Sequence, residues 1–158
     1  MEAIIVQMAD NQWTEAALHL ACAMARTTHS EIILLRMIET QHLSWLGTSL
    51  GVETFSPEES DRVWEYKAIA KRYGVEFSVE PMQWLSYVDA IVEASDLLNA
   101  EIVFASLPEN RLSFMGKFQR WDLRRQLSQR HRTLYTLDQP VKTKLPAAPV
   151  AALNHQPS

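Results

Sequence analysis

The chain has 158 residues, 47% of them hydrophobic and 22% charged, with a formal net charge of −4. That size and balance fit one globular domain of about 100–200 residues and exclude a disordered or collagen-like chain. Only four glycines occur, where average usage of about 7% would give roughly 11, and this weighs against any function that needs a glycine-rich phosphate cradle.

No stretch approaches about 18 consecutive apolar residues, so no transmembrane helix is expected. Met1-Glu2-Ala3-Ile4 lacks the basic opening of a signal peptide. The lone cysteine, Cys22, cannot form an internal disulfide, and cytoplasmic residence is the expectation. The charge is unevenly spread. Arg111 to Arg132 holds seven basic residues and one acid, Asp122, so this segment is strongly positive and the remainder strongly negative. Such asymmetry marks either an anion or partner site or a solvated face.

Ala3 to Ala9 is short, β-branched and almost wholly apolar, as in a strand buried on both faces of a parallel sheet. Asp10, Asn11 and Gln12 break the run. From Trp13 to Thr27 apolar residues recur at Trp13, Ala17, Leu20, Ala21 and Met24, one face of a helix in which Cys22 reads as a packed thiol. Glu31 to Ile38 is a second buried strand. The connection from Glu39 to Phe55, with Leu43, Trp45, Leu46 and Leu50, is too long for a plain link and is expected to fold over a cleft or a partner subunit.

Ser56-Pro57-Glu58-Glu59 announces a helix: Ser56 caps, Pro57 suits the first helical position and Glu59 completes a capping box. Val63, Tyr66, Ala70 and Tyr73 form its apolar face, and Gly74 ends it. Val75 to Glu80 is a third strand that Pro81 should end. Ser86 and Asp89 resemble a second capping arrangement, ahead of a helix carrying Val88, Ile91, Val92, Ser95 and Leu98, with Asn99 as its stop. Glu101 to Ala105 is a fourth strand, Ser106 to Gly116 a loop, and Phe118 to Gln129 a basic helix with Trp121, Leu123 and Leu127. Thr133 to Leu137 is a fifth strand. Strands alternating with helices imply a doubly wound parallel α/β sheet. Residues 1–138 form this domain, and 139–158, with four of the seven prolines, read as a flexible tail.

Leu34-Leu35-Arg36-Met37-Ile38, Thr14-Glu15-Ala16-Ala17-Leu18 opening the first helix, and the stretch from Asp89 to Ser106 resemble the corresponding segments of the universal stress protein family. The resemblance covers residues 3–138 in element order. It implies a Rossmann-like, adenine-nucleotide alpha-hydrolase-like sheet of five strands in the order 3-2-1-4-5, and a homodimer paired through the fifth strand. Nucleotide-binding members carry a glycine, two residues, a second glycine, nine residues, then glycine and Ser or Thr after strand four. Here Pro108, Asn110 and Arg111 stand among those positions and only Gly116 remains, although Leu112-Ser113 matches the family. The family's first-strand aspartate aligns with Ala9, and Asp10 replaces it only with a one-residue shift.

Candidate ligand contacts are therefore Asp10, Met37, Ser106, Arg111 and Ser113. Asp10 suits a ribose hydroxyl or, alternatively, a turn into the first helix. Arg111 suits an anion or plain solvent. The five histidines show no zinc-like spacing, and neither a nucleophile elbow nor a phosphate-loop lysine motif is present. No catalytic constellation emerges. The basic helix around Arg120, Arg124 and Arg125 raises a nucleic-acid reading, which the pI near 5.7 disfavours. The expectation is a stress-response domain with a degenerate nucleotide site and no cofactor, acting by protein association. The alternative is a regulator holding ATP or AMP through an arginine-assisted loop.

Overall fold

A computed structural model describes residues 1–39, 55–107 and 113–137, with only the backbone described for 113–116. The elements run β1 (Ala3–Gln7), α1 (Asn11–Thr28), β2 (Glu31–Glu39), α2 (Pro57–Tyr73), β3 (Phe77–Trp84), α3 (Tyr87–Leu97), β4 (Ala100–Phe104), α4 (Ser113–Gln129) and β5 (Thr133–Tyr135). The apolar connection from residue 40 to 54, the segment holding Pro108, Asn110 and Arg111, and the tail lie outside the described residues.

All four strand pairings are parallel and the sheet order is β3-β2-β1-β4-β5, as the resemblance implies. β1 is central, and its alternating side chains feed two cores. Ala3 and Ile5 join the layer containing Val88 and Ile91 of α3 and Leu123 and Leu127 of α4. Ile4 and Val6 join the layer containing Leu18 and Ala21 of α1 and Tyr66 and Ile69 of α2. A strand covered on both faces has no position for a solvated side chain, which is why β1 reads as an unbroken apolar run.

Local signals act largely as expected. Ser56 accepts from Glu59 N–H while Glu59 Oε2 accepts from Ser56 N–H, and Gly74 takes φ 72° in the left-handed region that ends α2. Asn99 follows α3 at φ 49°. Ser86, by contrast, occupies the N-cap of α3 but its side chain makes no capping bond. α4 begins at Ser113 rather than Phe118.

Pro81 does not end the third strand, which continues to Trp84. Ile32 N–H donates to Glu76 O, and in a parallel pairing that points residues 76, 78, 80 and 82 toward β2 and 77, 79 and 81 outward. β3 lies at the sheet edge, so the N–H that proline lacks would have faced away from the ladder. At the opposite end, Asp96 receives Arg130 and Arg132 at 3.1 Å each, and Arg132 also donates to the Ala100 carbonyl. These bonds tie the end of α3 to the starts of β4 and β5. Among the described residues, no helix is long and apolar enough to cross a membrane.

Candidate functional site

The strand order reverses between β1 and β4. Connections leave these two strands toward opposite faces of the sheet, so a crevice opens beyond their carboxyl ends. There the structure has an open cleft of about 1290 Å³ whose lining includes Asp10, Met37 and Ser106. Three of the five sequence-derived candidates thus share one cleft. Arg111 lies outside the described residues, and Ser113 begins α4 with its side chain outside them.

Asp10 occupies the N-cap of α1, where its Oδ1 accepts from Trp13 N–H at 3.0 Å. The local-turn reading of this residue is therefore realised. Thr14, fully buried, braces the same turn: its Oγ1 accepts from Ala9 N–H at 2.9 Å and donates to Asp10 O at 2.8 Å. Tyr66 Oη adds a bond to Asn11 Oδ1 at 2.8 Å. Trp13 Nε1 donates to Thr136 O at 3.1 Å, fastening the start of α1 to the chain just beyond β5.

At β4 the candidate Ser106 is held by two residues that the sequence did not mark, Gln7 and Tyr87. Ser106 N–H donates to Gln7 Oε1 at 2.7 Å, and Tyr87 Oη donates to Ser106 O at 2.6 Å. Gln7 is only 6% exposed, a polar residue at the end of an apolar strand. A buried amide must find partners, and Ser106 supplies one. Burial pushes the Tyr87 phenol above the ordinary tyrosine range, while a hydrogen bond with Gln7 pulls more weakly the other way.

The far wall comes from β2 and β3. Met37 pairs in register with Met82, and Glu39 with Trp84. Trp84 stands edge-on to Tyr87, ring centroids 5.5 Å apart and planes at 90°. Arg120 of α4 also lines the cleft, whereas Lys117, Arg124 and Arg125 of the same helix are exposed. The only signal for Gln7 was its polarity within an apolar run, and for Trp84 its place just past a proline. Among the described residues, no group of three His, Cys, Asp or Glu side chains is arranged to hold a metal ion.

No protein-family model matches the sequence, and neither does any curated protein. Solved structures do match. One is a universal stress protein in complex with cAMP, at 12% identity and a TM-score of 0.60, the alignment covering 87% of this chain and 98% of that one. A universal stress protein family member from Burkholderia pseudomallei matches at 16% identity and TM-score 0.59, covering 84% and 93%. A universal stress protein from Archaeoglobus fulgidus matches at 13% identity and TM-score 0.53, covering 85% and 91%. At these identities the similarity concerns architecture, and the five-stranded parallel α/β fold of this chain is the fold of universal stress protein structures.

Proposed function

We propose that residues 1–138 form a cytoplasmic, universal stress protein-like stress-response domain whose nucleotide site is degenerate and which acts by protein association, first with a second copy of itself through β5. The observation that supports the degenerate site best is the 2.7 Å bond from Ser106 N–H to Gln7. A phosphate cradle works when consecutive backbone N–H groups converge on the anion. Here the first amide beyond Ala105 is already spent on a buried side chain, and Pro108 removes another donor. Loss of two charge-assisted bonds at about 1.5–3 kcal/mol each weakens binding by about 10²- to 10⁴-fold.

Association through β5 is supported by its position. It is a three-residue edge strand bonded to β4 on one side, with Thr133 and Tyr135 exposed. An unpaired edge is a template for a further strand, and a two-fold pairing would close the assembly. Calorimetry with ATP and magnesium tests the site: a dissociation constant below about 10 μM rejects the degenerate reading. Sedimentation or light scattering tests the association, where the 18.1 kDa monomer mass at micromolar concentration would reject it.

A second reading, an ATP- or AMP-binding regulator with an arginine-assisted loop, is favoured by the cleft itself, which gathers Asp10, Met37 and Ser106, and by the cAMP complex of a protein with this fold. On that reading Arg111→Ala abolishes most nucleotide binding.

A further inference from the structure

We propose that the outer face of the layer formed by α3 and α4 is an interface between two copies of this chain, in which α3 of each copy packs on α4 of the other. The surface is a helix face, separate from the β5 edge.

The two helices carry opposite outer stripes. On α3 the buried Val88, Ile91 and Ser95 face the sheet, and Asp89, Glu93, Asp96 and Leu97 are exposed. That helix holds no basic residue. On α4 Leu123 and Leu127 are buried, while Lys117, Phe118, Trp121, Arg124 and Arg125 are exposed at the spacing of a single helical stripe. Asp122, the acid of α4, is half-buried and accepts from Gln126 Nε2 at 3.2 Å. Asp96 already binds Arg130 and Arg132, but among the described residues Asp89, Glu93, Lys117, Arg124 and Arg125 make no ion pair. Apolar surface accompanies the charge: Leu97 is 71%, Phe118 56% and Trp121 55% exposed. The Trp121 ring is flanked by Phe118 at 6.0 Å and the Arg125 guanidinium at 5.4 Å. An apolar patch with a charged rim marks an interaction surface.

The pairing of stripes identifies the partner. Packed helices lie about 8–10 Å apart, within the Debye length of about 10 Å at 0.1 M salt. A nucleic acid or an anionic membrane drawn to α4 therefore meets the carboxylates of α3 beside it. A surface that is basic where this one is acidic, and acidic where it is basic, satisfies both helices, and a second copy supplies that surface. α3 and α4 both cross between parallel strands on the same side of the sheet, so they run in the same direction. A two-fold axis midway between them and parallel to them turns each α3 onto the other copy's α4. The bond from Arg130 to Asp96 at 3.1 Å sets the ends of the two helices level. At 1.5 Å per residue, Glu93 and Asp89 lie about 4 and 10 Å back from Asp96, and Arg125 and Arg124 about 8 and 9 Å back from Arg130. Such an axis adds no shift along the helices, so in the pair the two carboxylates bracket the two guanidinium groups. An axis across the helices would set α3 on α3, like charge on like.

Sedimentation of the full chain at micromolar concentration tests the interface through two charge reversals at exposed positions, Glu93→Arg and Arg125→Glu. In a pair of identical variants both contacts bring like charges together, so each variant alone is expected at half the wild-type mass. Mixed in equal amounts, the two variants restore opposite charges at both contacts of the mixed pair, and the wild-type mass should return. Variants that keep the wild-type mass, or a mixture that stays at the mass of the variants, overturn the proposal. A wild-type mass of 18.1 kDa overturns this interface and the β5 association alike. A dimer that neither reversal changes overturns this interface alone and leaves β5 pairing standing, whereas a dimer that both reversals split to 18.1 kDa supports this interface and defeats β5 pairing.

Discussion

Gln7 and Ser106 are 99 residues apart in sequence and joined by one hydrogen bond of 2.7 Å, the Ser106 amide donating to the Gln7 side chain. The bond links the carboxyl ends of the two strands between which the sheet changes direction. It therefore positions the cleft and at the same time withholds a backbone donor from it. Gln7→Leu keeps the volume roughly constant but strands the Ser106 N–H. Ser106 is half-buried at an open cleft, so the stranded donor costs at most the roughly 1–3 kcal/mol of a fully buried one. Urea unfolding followed by tryptophan fluorescence should show a stability loss of up to about 1–3 kcal/mol, and an unchanged midpoint would mean the bond carries no net stability.

The two serine caps should behave differently. Ser56→Ala removes half of a complete capping box and should destabilise the chain by about 0.5–2 kcal/mol. Ser86→Ala removes a side chain that caps nothing and should change stability by less than about 0.5 kcal/mol. Parallel denaturation of both variants checks the contrast, and equal losses would contradict it.

Asp96 binds two arginines at the same 3.1 Å distance, yet their contributions should be unequal. Arg130 is 39% exposed, and an exposed ion pair contributes about 0–1 kcal/mol. Arg132 is 14% exposed and also donates to the Ala100 carbonyl, so its removal strands a buried acceptor. Arg132→Gln is expected to destabilise by about 1–3 kcal/mol and Arg130→Gln by less than about 1 kcal/mol. Hydrogen exchange should report the Arg132 loss first at β5, because that strand loses its anchor. Equal protection in both variants would sink the distinction.

Burial pushes the Cys22 thiol up to about 11 from 9.0. The unfolded chain therefore releases this proton first as pH rises. Its contribution is intact below about pH 9 and is lost as pH rises from there toward 11, since the folded state then binds more protons than the unfolded one. Tyr87 and Tyr66, also raised by burial, act in the same direction at higher pH. Denaturant midpoints should fall across this alkaline window, and Cys22→Ala should make the fall shallower. An identical slope in the variant would show that the thiol is not the group responsible. A thiol reagent at pH 8 should label Cys22 only after unfolding, because the native side chain is fully buried.

Several features were legible along the chain because their physics is local. The capping box of Ser56 and Glu59 and the stop at Gly74 act over a few residues, so their residue types announce them. The buried strands declared themselves because a parallel sheet covered on both faces demands an apolar side chain at nearly every position. Asp10 as a turn into the first helix was readable for the same reason, its partner being Trp13, three residues on. The sheet order followed from resemblance, since no local pattern in this chain states which strand is central.

Tertiary structure decided the rest. Pro81 looks like a strand terminator until β3 is known to be an edge strand whose outward positions need no donor. Leu20 has the helical spacing of a core residue but stands 50% exposed beside the cleft, because the crevice interrupts what α1 packs against. Trp121 likewise has an apolar side chain and is 55% exposed, while Leu123, two residues on, is fully buried. Gln7, Trp84, Tyr87 and Ser106 carry no shared motif. Their association requires β1, β3 and β4 to be brought to one end of the sheet, and hydrogen bonds and ring contacts formed at that distance depend on chain topology rather than on sequence spacing.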